Sequence, residues 1–294
     1  MNFIYFHSAD LDGHCSGAIA YHYLLNNKHI SPEEIMLKPI NYGKPFKYDE
    51  ISTNDVVYML DFAIQPNADM KKLNSMCNLI WIDHHKTAID ALEGYHIKGI
   101  RDSNKAACEL TWGWFYQYSS EENYGVSLLG RYDVWDKEST LGWEDNITPL
   151  QYGARTYDTF PSNQPFWGEF LFTEGFVDKL LEHGRLIKIY QDKSDAMYVK
   201  GYAFETEFMG YKCLALNRGG TSSKIFDSIW DETKHDIMMP FSVLPAGGWT
   251  VSLYTTKDID CSALAKKFGG GGHKQASGFQ VDVLPFKLPE RSIE

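Results

Sequence analysis

The sequence predicts two α/β domains, a larger N-terminal one built on a mostly parallel sheet flanked by helices and a smaller C-terminal one beyond about residue 200. Three observations predict this. The length of 294 residues is more than one small core organises. Short apolar runs alternate with helical patterns through the first half, which is the rhythm of β-α-β units. A long, charged helical stretch then leads into a second set of short strands that ends in four consecutive glycines.

Taken in order, residues 3–6 (FIYF) read as a strand, residues 14–27 as a helix, and residues 56–60 (VVYML) and 79–82 (LIWI) as further strands. The last two runs are apolar at nearly every position, as strands covered by helices on both faces should be. Residues 106–118 and 176–198 show helical periodicity. The second of these joins the domains, which are predicted as 1–185 and 201–294 with a linking helix at 186–200. Strands at 202–208, 211–216 and 249–254 and a helix at 262–268 complete the smaller unit. The polar, proline-containing end reads as a frayed tail.

Composition narrows the function classes. A formal net charge of −11 argues against a broad basic surface that tracks long duplex nucleic acid, because such binding needs many Lys and Arg against phosphates. An acidic protein can still bind a phosphate if divalent cations supply the positive charge, and those cations need carboxylates to hold them. No stretch approaches the roughly 20 apolar residues of a membrane span, and MNFIYFHSAD lacks the basic flank of a signal peptide, so a cytoplasmic location without membrane association is expected. The five cysteines are scattered and form no CxxC pair, and they read as reduced thiols.

Three acidic or histidine clusters fall at the ends of three predicted strands: HSADLDG after FIYF, Asp61 after VVYML, and Asp83-His84-His85 after LIWI. Loops at the carboxyl ends of parallel strands converge on one crevice, so His7, Asp10, Asp12, Asp61, Asp83, His84 and His85 can meet there. Imidazoles with carboxylates suit manganese or a similar divalent ion, and the absence of thiolate partners counts against structural zinc. Plainer readings exist: Asp10, Asp12 and Gly13 can form an ordinary turn, and a lone Asp61 can cap a helix. Asp83-His84-His85 resists that reading, because a carboxylate and two imidazoles at the end of an apolar strand are costly to bury without partners or a metal.

Further on, Gly269 to Gly272 free the backbone to approach an anion closely, and His273 can add a hydrogen bond. This run reads as a phosphate or nucleotide cradle, the alternative being a flexible linker. Arg218, beside two glycines after a strand, can fork onto a phosphate or stack on a base, or can be an exposed turn residue.

WIDHHK, preceded by a D-x-D-G element and a strand-final Asp, resembles the DHH phosphoesterase family, and KKFGGGGHKQASGF resembles the glycine-rich motif of that family's DHH-associated C-terminal domain. The two signatures stand in the family's order and together cover most of the chain. The resemblance implies a DHH-type catalytic domain, a C-terminal substrate-binding domain in which Gly271, Gly272 and His273 hold the substrate end distant from the metals, an active-site cleft between the two domains, and two divalent ions. Manganese is the expected metal, with magnesium or cobalt as alternatives. It implies that His7 and Asp10 ligate one ion, Asp12 and His84 the other, and Asp61 both. Many members carry the first histidine one residue further from the Asp than His7 is from Asp10, and His14 is the alternative to His7. A further aspartate is expected in GRYDVWDK, Asp133 being the choice and Asp136 the alternative. Asp83 would accept a hydrogen bond from a ligating imidazole, and His85 would face the substrate phosphate. The implied activity is hydrolysis of short oligonucleotides or dinucleotides, with room for a homodimer. The alternatives are a 3′-phosphonucleotide monoesterase, a pyrophosphatase or polyphosphatase, or a non-catalytic nucleotide sensor.

Overall fold

A computed structural model of the chain describes residues 1–43, 45–116 and 122–289, with the backbone alone at position 273. It divides into two compact units, Met1–Lys188 and Ile189–Glu294. In the first, β1 (Asn2–His7), β2 (Ile35–Ile40), β3 (Val56–Leu60) and β4 (Asn78–Ile82) form a wholly parallel sheet in the order β2-β1-β3-β4. Successive strand residues face opposite sides, and both sides are covered. Ile4, Phe6, Leu60, Ile80 and Ile82 enter one core, packed with α1 (Leu11–Asn26), α4 (Ala107–Phe115), α5 (Tyr124–Asp133), α6 (Thr148–Ala154), α7 (Gln164–Phe172) and the start of α8 (Phe176–Tyr202). Phe3, Tyr5, Val57, Met59, Leu79 and Trp81 enter the other, with α2 (Ala68–Met76) and α3 (Lys86–Ala91). This two-sided burial is why VVYML and LIWI read as continuous apolar runs, each fully buried side chain contributing about 1.5–3 kcal/mol.

β2 is a strand that periodicity does not reveal. Its sequence, IMLKPI, contains Pro39, which lacks the N–H a ladder needs. The strand tolerates it because it lies at the edge of the sheet and pairs with β1 alone.

The turn from β1 into α1 sets the later chemistry. Asp10 is the N-cap of α1 in extended backbone (φ −142°), and its Oδ1 accepts a hydrogen bond from the Gly13 amide at 3.0 Å. Helix and strand approach so closely there that a Cβ on Gly13 would lie 2.1 Å from the His7 carbonyl oxygen. The helix therefore begins at residue 11, three residues earlier than its apolar pattern suggests, and carries Asp12 in its first turn.

In the second unit, β5 (Phe204–Phe208), β6 (Tyr211–Asn217), β7 (Ile237–Val243), β8 (Trp249–Tyr254), β9 (Gly271–His273) and β10 (Ala276–Val281) form a sheet in the order β5-β6-β7-β8-β10-β9, in which only β6 and β7 run parallel. Like β2, β7 escapes the sequence pattern through a proline. Pro240 sits where the pairing with β8 skips from Met238 to Phe241, while it stays in register with Leu216 of β6. The glycine run does three local jobs. Gly269 (φ +75°) ends α9 (Cys261–Lys266), Gly270 packs so tightly under β10 that a Cβ would lie 2.1 Å from the Gly278 carbonyl oxygen, and Gly271 and Gly272 enter edge strand β9. No helix among the described residues is long and apolar enough to cross a membrane.

Gly13→Ala should destabilise the first unit by about 1–3 kcal/mol in urea denaturation, because the added methyl meets backbone that cannot move aside. Gly113→Ala, within α4 where an added Cβ meets nothing within 4 Å, should instead stabilise it by about 0.5–1 kcal/mol.

Candidate metal centre

The carboxyl ends of β1, β3 and β4 bring together the residues that the sequence places far apart. His7 ends β1, Asp61 follows β3, and Asp83, His84 and His85 follow β4. The α1 turn adds Asp10 and Asp12, and Asp133 is the last residue of α5. Asp61 lies at the centre, 1% exposed, with φ +56°, a left-handed conformation that Asp tolerates better than most residues. Its Oδ2 is 3.4 Å from His7 Nδ1, and its Oδ1 is 3.2 Å from His84 Nε2 and 3.8 Å from His85 Nδ1. His7 Nδ1 is also 3.0 Å from Asp10 Oδ2, and His84 Nε2 is 3.3 Å from Asp133 Oδ2 and 3.7 Å from Asp12 Oδ2.

These donors form three overlapping sets, His7-Asp10-Asp61, Asp12-His84-Asp133 and Asp61-His84-His85, each with its ligand atoms within 4.8 Å of one another. Asp61 and His84 each belong to two. The fit to a cation shows in what the protein leaves undone: His7 Nδ1 and Asp61 Oδ1 are buried without a hydrogen-bond partner of acceptable geometry, although charged neighbours lie close. Buried polar atoms left without partners within one close cluster fit a metal ligand set. Oxygen and imidazole donors without thiolate suit hard or borderline divalent ions.

The electrostatics agree. Burial raises the Asp12 carboxyl well above its ordinary range, and Asp61 and Asp133 add to the rise. Burial and Asp61 push Asp133 up to about 7. Burial disfavours the charged imidazole at His7 and His84, yet the surrounding carboxylates outweigh it and lift both to about 10. The bare cluster thus holds protons that a divalent cation would displace.

Asp12 is fixed from behind: its Oδ2 accepts from the Ala107 amide at 2.9 Å and its Oδ1 from the Cys108 amide at 2.6 Å, the first two residues of α4. Glu109 Oε2 accepts from the Ala106 amide and is itself gripped by Arg131, which also reaches Asp136 at 3.4 Å. Asp136 is therefore engaged by Arg131, whereas the Asp133 carboxylate faces His84. Asp83, fully buried, accepts from the amides of His84 and His85, from His85 Nδ1 at 2.7 Å and from Trp81 Nε1 at 3.1 Å. The imidazole that it orients is thus His85, and it meets His84 only through the backbone. His14 lies apart, its Nδ1 on Thr159.

One residue beside the cluster went unsuspected in the sequence. Tyr42, in the turn after β2, sits with its ring centroid 5.8 Å from His7 and 4.6 Å from Phe62. Burial, together with Asp83, Asp61 and Asp10, pushes its phenol up to about 12, so it remains neutral. Asn41-Tyr42-Gly43 is a turn signal closing a strand, but Pro39 conceals that strand.

The expected substrate contacts lie in the second unit. Gly271 and Gly272 are in β9, with open space above Gly271, while the His273 side chain is outside the described residues. Arg218 is occupied within that unit, its Nη1 3.0 Å from Asp195 Oδ1 and its guanidinium 4.6 Å from the Tyr198 ring centroid.

Relatives and solved structures resemble this chain in sequence and fold. Oligoribonuclease NrnB of Bacillus subtilis is 24% identical over 98% of this chain and 75% of its own. An exopolyphosphatase-related protein of Bacteroides fragilis shares the fold at TM-score 0.56 and 17% identity, over 96% of this chain and 87% of its own. The pGpG-specific phosphodiesterase PggH of Vibrio cholerae does so at TM-score 0.51 and 14% identity, over 95% and 92%. Residues 2–129, which carry every clustered residue named above except Asp133, match the N-terminal domain of the DHH family. The likeness to the DHH family thus rests on its N-terminal domain, matched by residues 2–129.

Proposed function

We propose that this protein is a metal-dependent phosphodiesterase that hydrolyses short oligonucleotides or dinucleotides, with His7, Asp10, Asp12, Asp61, His84 and Asp133 as ligands of two divalent cations, manganese foremost. The observation that carries the reading is the sharing of the Asp61 carboxylate between two donor sets, His7 and Asp10 on one side and His84 on the other. Bound divalent cations supply Lewis acidity toward phosphoryl oxygens and activate water. In the reaction, water adds its oxygen to phosphorus, one ester P–O bond breaks, and the departing oxygen takes up a proton.

The chain's own residues position and bind. Asp12, held by the amides of α4, and Asp61, held by its turn, arrive with their carboxylates already aimed, so little ordering is needed when a cation binds. Asp83 holds His85 through Nδ1 and, with Asp61, outweighs burial to favour the charged imidazolium, in which Nε2 also carries a proton and can donate to a phosphoryl oxygen. Short substrates suit the charge of −11, because few phosphates then need to be neutralised by Lys and Arg. The oligoribonuclease name of the Bacillus relative, matched along nearly the whole of this chain, supports the same choice.

Asp61→Asn keeps the shape of the side chain but removes the shared anion. It should lower manganese-dependent hydrolysis of a 5′-phosphorylated diadenylate by at least about 100-fold, beyond what loss of an orienting partner costs, while far-UV circular dichroism stays unchanged. Turnover at the wild-type rate would remove Asp61 from the site.

Manganese at about 100 times its Kd should stabilise the first unit by about 3 kcal/mol and raise its melting temperature by roughly 5–10 °C, with EDTA reversing the shift. Asp61→Asn should show little of this shift.

A further inference from the structure

Among the aromatic side chains exposed on the first unit, Tyr42 is set apart by its neighbours. Single exposed aromatics are ordinary, and Trp135, at 54% exposed, leans on Trp143. Tyr42 is 45% exposed and stands directly beside the ligand set of His7, Asp10 and Asp61. Phe62 lies under one face of its ring, with centroids 4.6 Å apart and planes tilted by 35°, and His7 meets it at 64°. The opposite face is therefore the exposed one. The turn that presents it is pinned on its N-terminal side: Asn41 Oδ1 accepts from the Tyr42 amide at 2.8 Å, and the Ser8 amide and hydroxyl both donate to the Ile40 carbonyl. Gly43, at φ +84°, completes the turn. Among the described residues the Tyr42 hydroxyl has no partner, so packing and backbone, not the phenol oxygen, hold the ring in place.

We propose that the free face of Tyr42 is a platform on which a substrate nucleobase stacks at the His7 end of the centre. The assignment rests on the nucleotide reading above and deepens it by naming what holds the nucleoside next to the scissile phosphate. An uncharged ring is suited to this position. Asp10 and Asp61 crowd it with negative charge, which would neutralise a lysine, whereas stacking needs no charge and accepts any base. A ring fixed in advance also loses little conformational freedom when the base arrives.

The test is calorimetric titration of the full-length protein, in manganese, with adenosine monophosphate and separately with inorganic phosphate. Tyr42→Ala and Tyr42→Leu should weaken adenosine monophosphate by about tenfold and shift phosphate by less than about twofold, with Tyr42→Phe close to wild type. The leucine variant keeps an apolar cover over Phe62, so agreement between Ala and Leu excludes a merely structural loss. The proposal is overturned if both variants bind the nucleotide like wild type, if Phe loses as much as Ala, or if wild type binds the nucleotide no tighter than phosphate. Tyr42-dependent nucleotide binding without any hydrolysis of the diadenylate would instead overturn the proposed function and leave the Tyr42 assignment standing.

Discussion

The organisation of the first unit turns on the Asp61 carboxylate. Its two oxygens are claimed from opposite sides, Oδ2 by His7 and Oδ1 by His84 and His85, and this holds only because three parallel strands end side by side. The backbone of Asp61 itself turns through left-handed space directly after β3, with its amide bonded to the Ile82 carbonyl of the neighbouring strand. Such a conformation persists at a non-glycine residue when the surroundings over-determine it, and here both the sheet and the cluster do so.

Crowding carboxylates in a buried place is unfavourable unless something offsets it, and the structure spreads the cost. Asp12 is stabilised by two amides at the start of α4, Asp10 by the Gly13 amide, and Asp83 by two amides and an indole. Each of these anchors uses one or both oxygens and so fixes the direction of the carboxylate. Asp61 and Asp133 have less support of this kind, and after burial itself they are the groups that most raise the Asp12 carboxyl above its ordinary range. A set divided between anchored and unsatisfied carboxylates is preorganised for cations and incomplete without them.

The same economy bears on two of the strands that the sequence pattern leaves hidden, β2 and β7. Pro39 sits on an edge strand that pairs on one side only, and Pro240 sits at a gap in the pairing of β7 with β8. Losing sight of β2 also hid the turn that follows it, and with it Tyr42, since nothing local to Asn41-Tyr42-Gly43 says that β2 pairs next to β1. The glycine run shows the converse. Four glycines suggest an open cradle, yet Gly269, Gly270 and Gly272 are each required by a turn or a close backbone approach, and Gly271 alone faces open space.

The amino-acid sequence by itself determined the α/β class, the parallel strands of the N-terminal unit, and the identity of His7, Asp10, Asp12, Asp61 and Asp83-His84-His85 as a group. Those features are local: apolar runs two-sidedly buried, each followed at once by acidic or imidazole residues. Only the tertiary structure decided that Asp133 and not Asp136 faces His84, that Asp83 orients His85, that two helix amides hold Asp12, and that Tyr42 borders the cluster. These depend on which helix terminus or sheet edge lies beside which strand. Strand order and helix packing are set by the summed burial of two cores on opposite faces of the sheet, a quantity that no short stretch of residues carries.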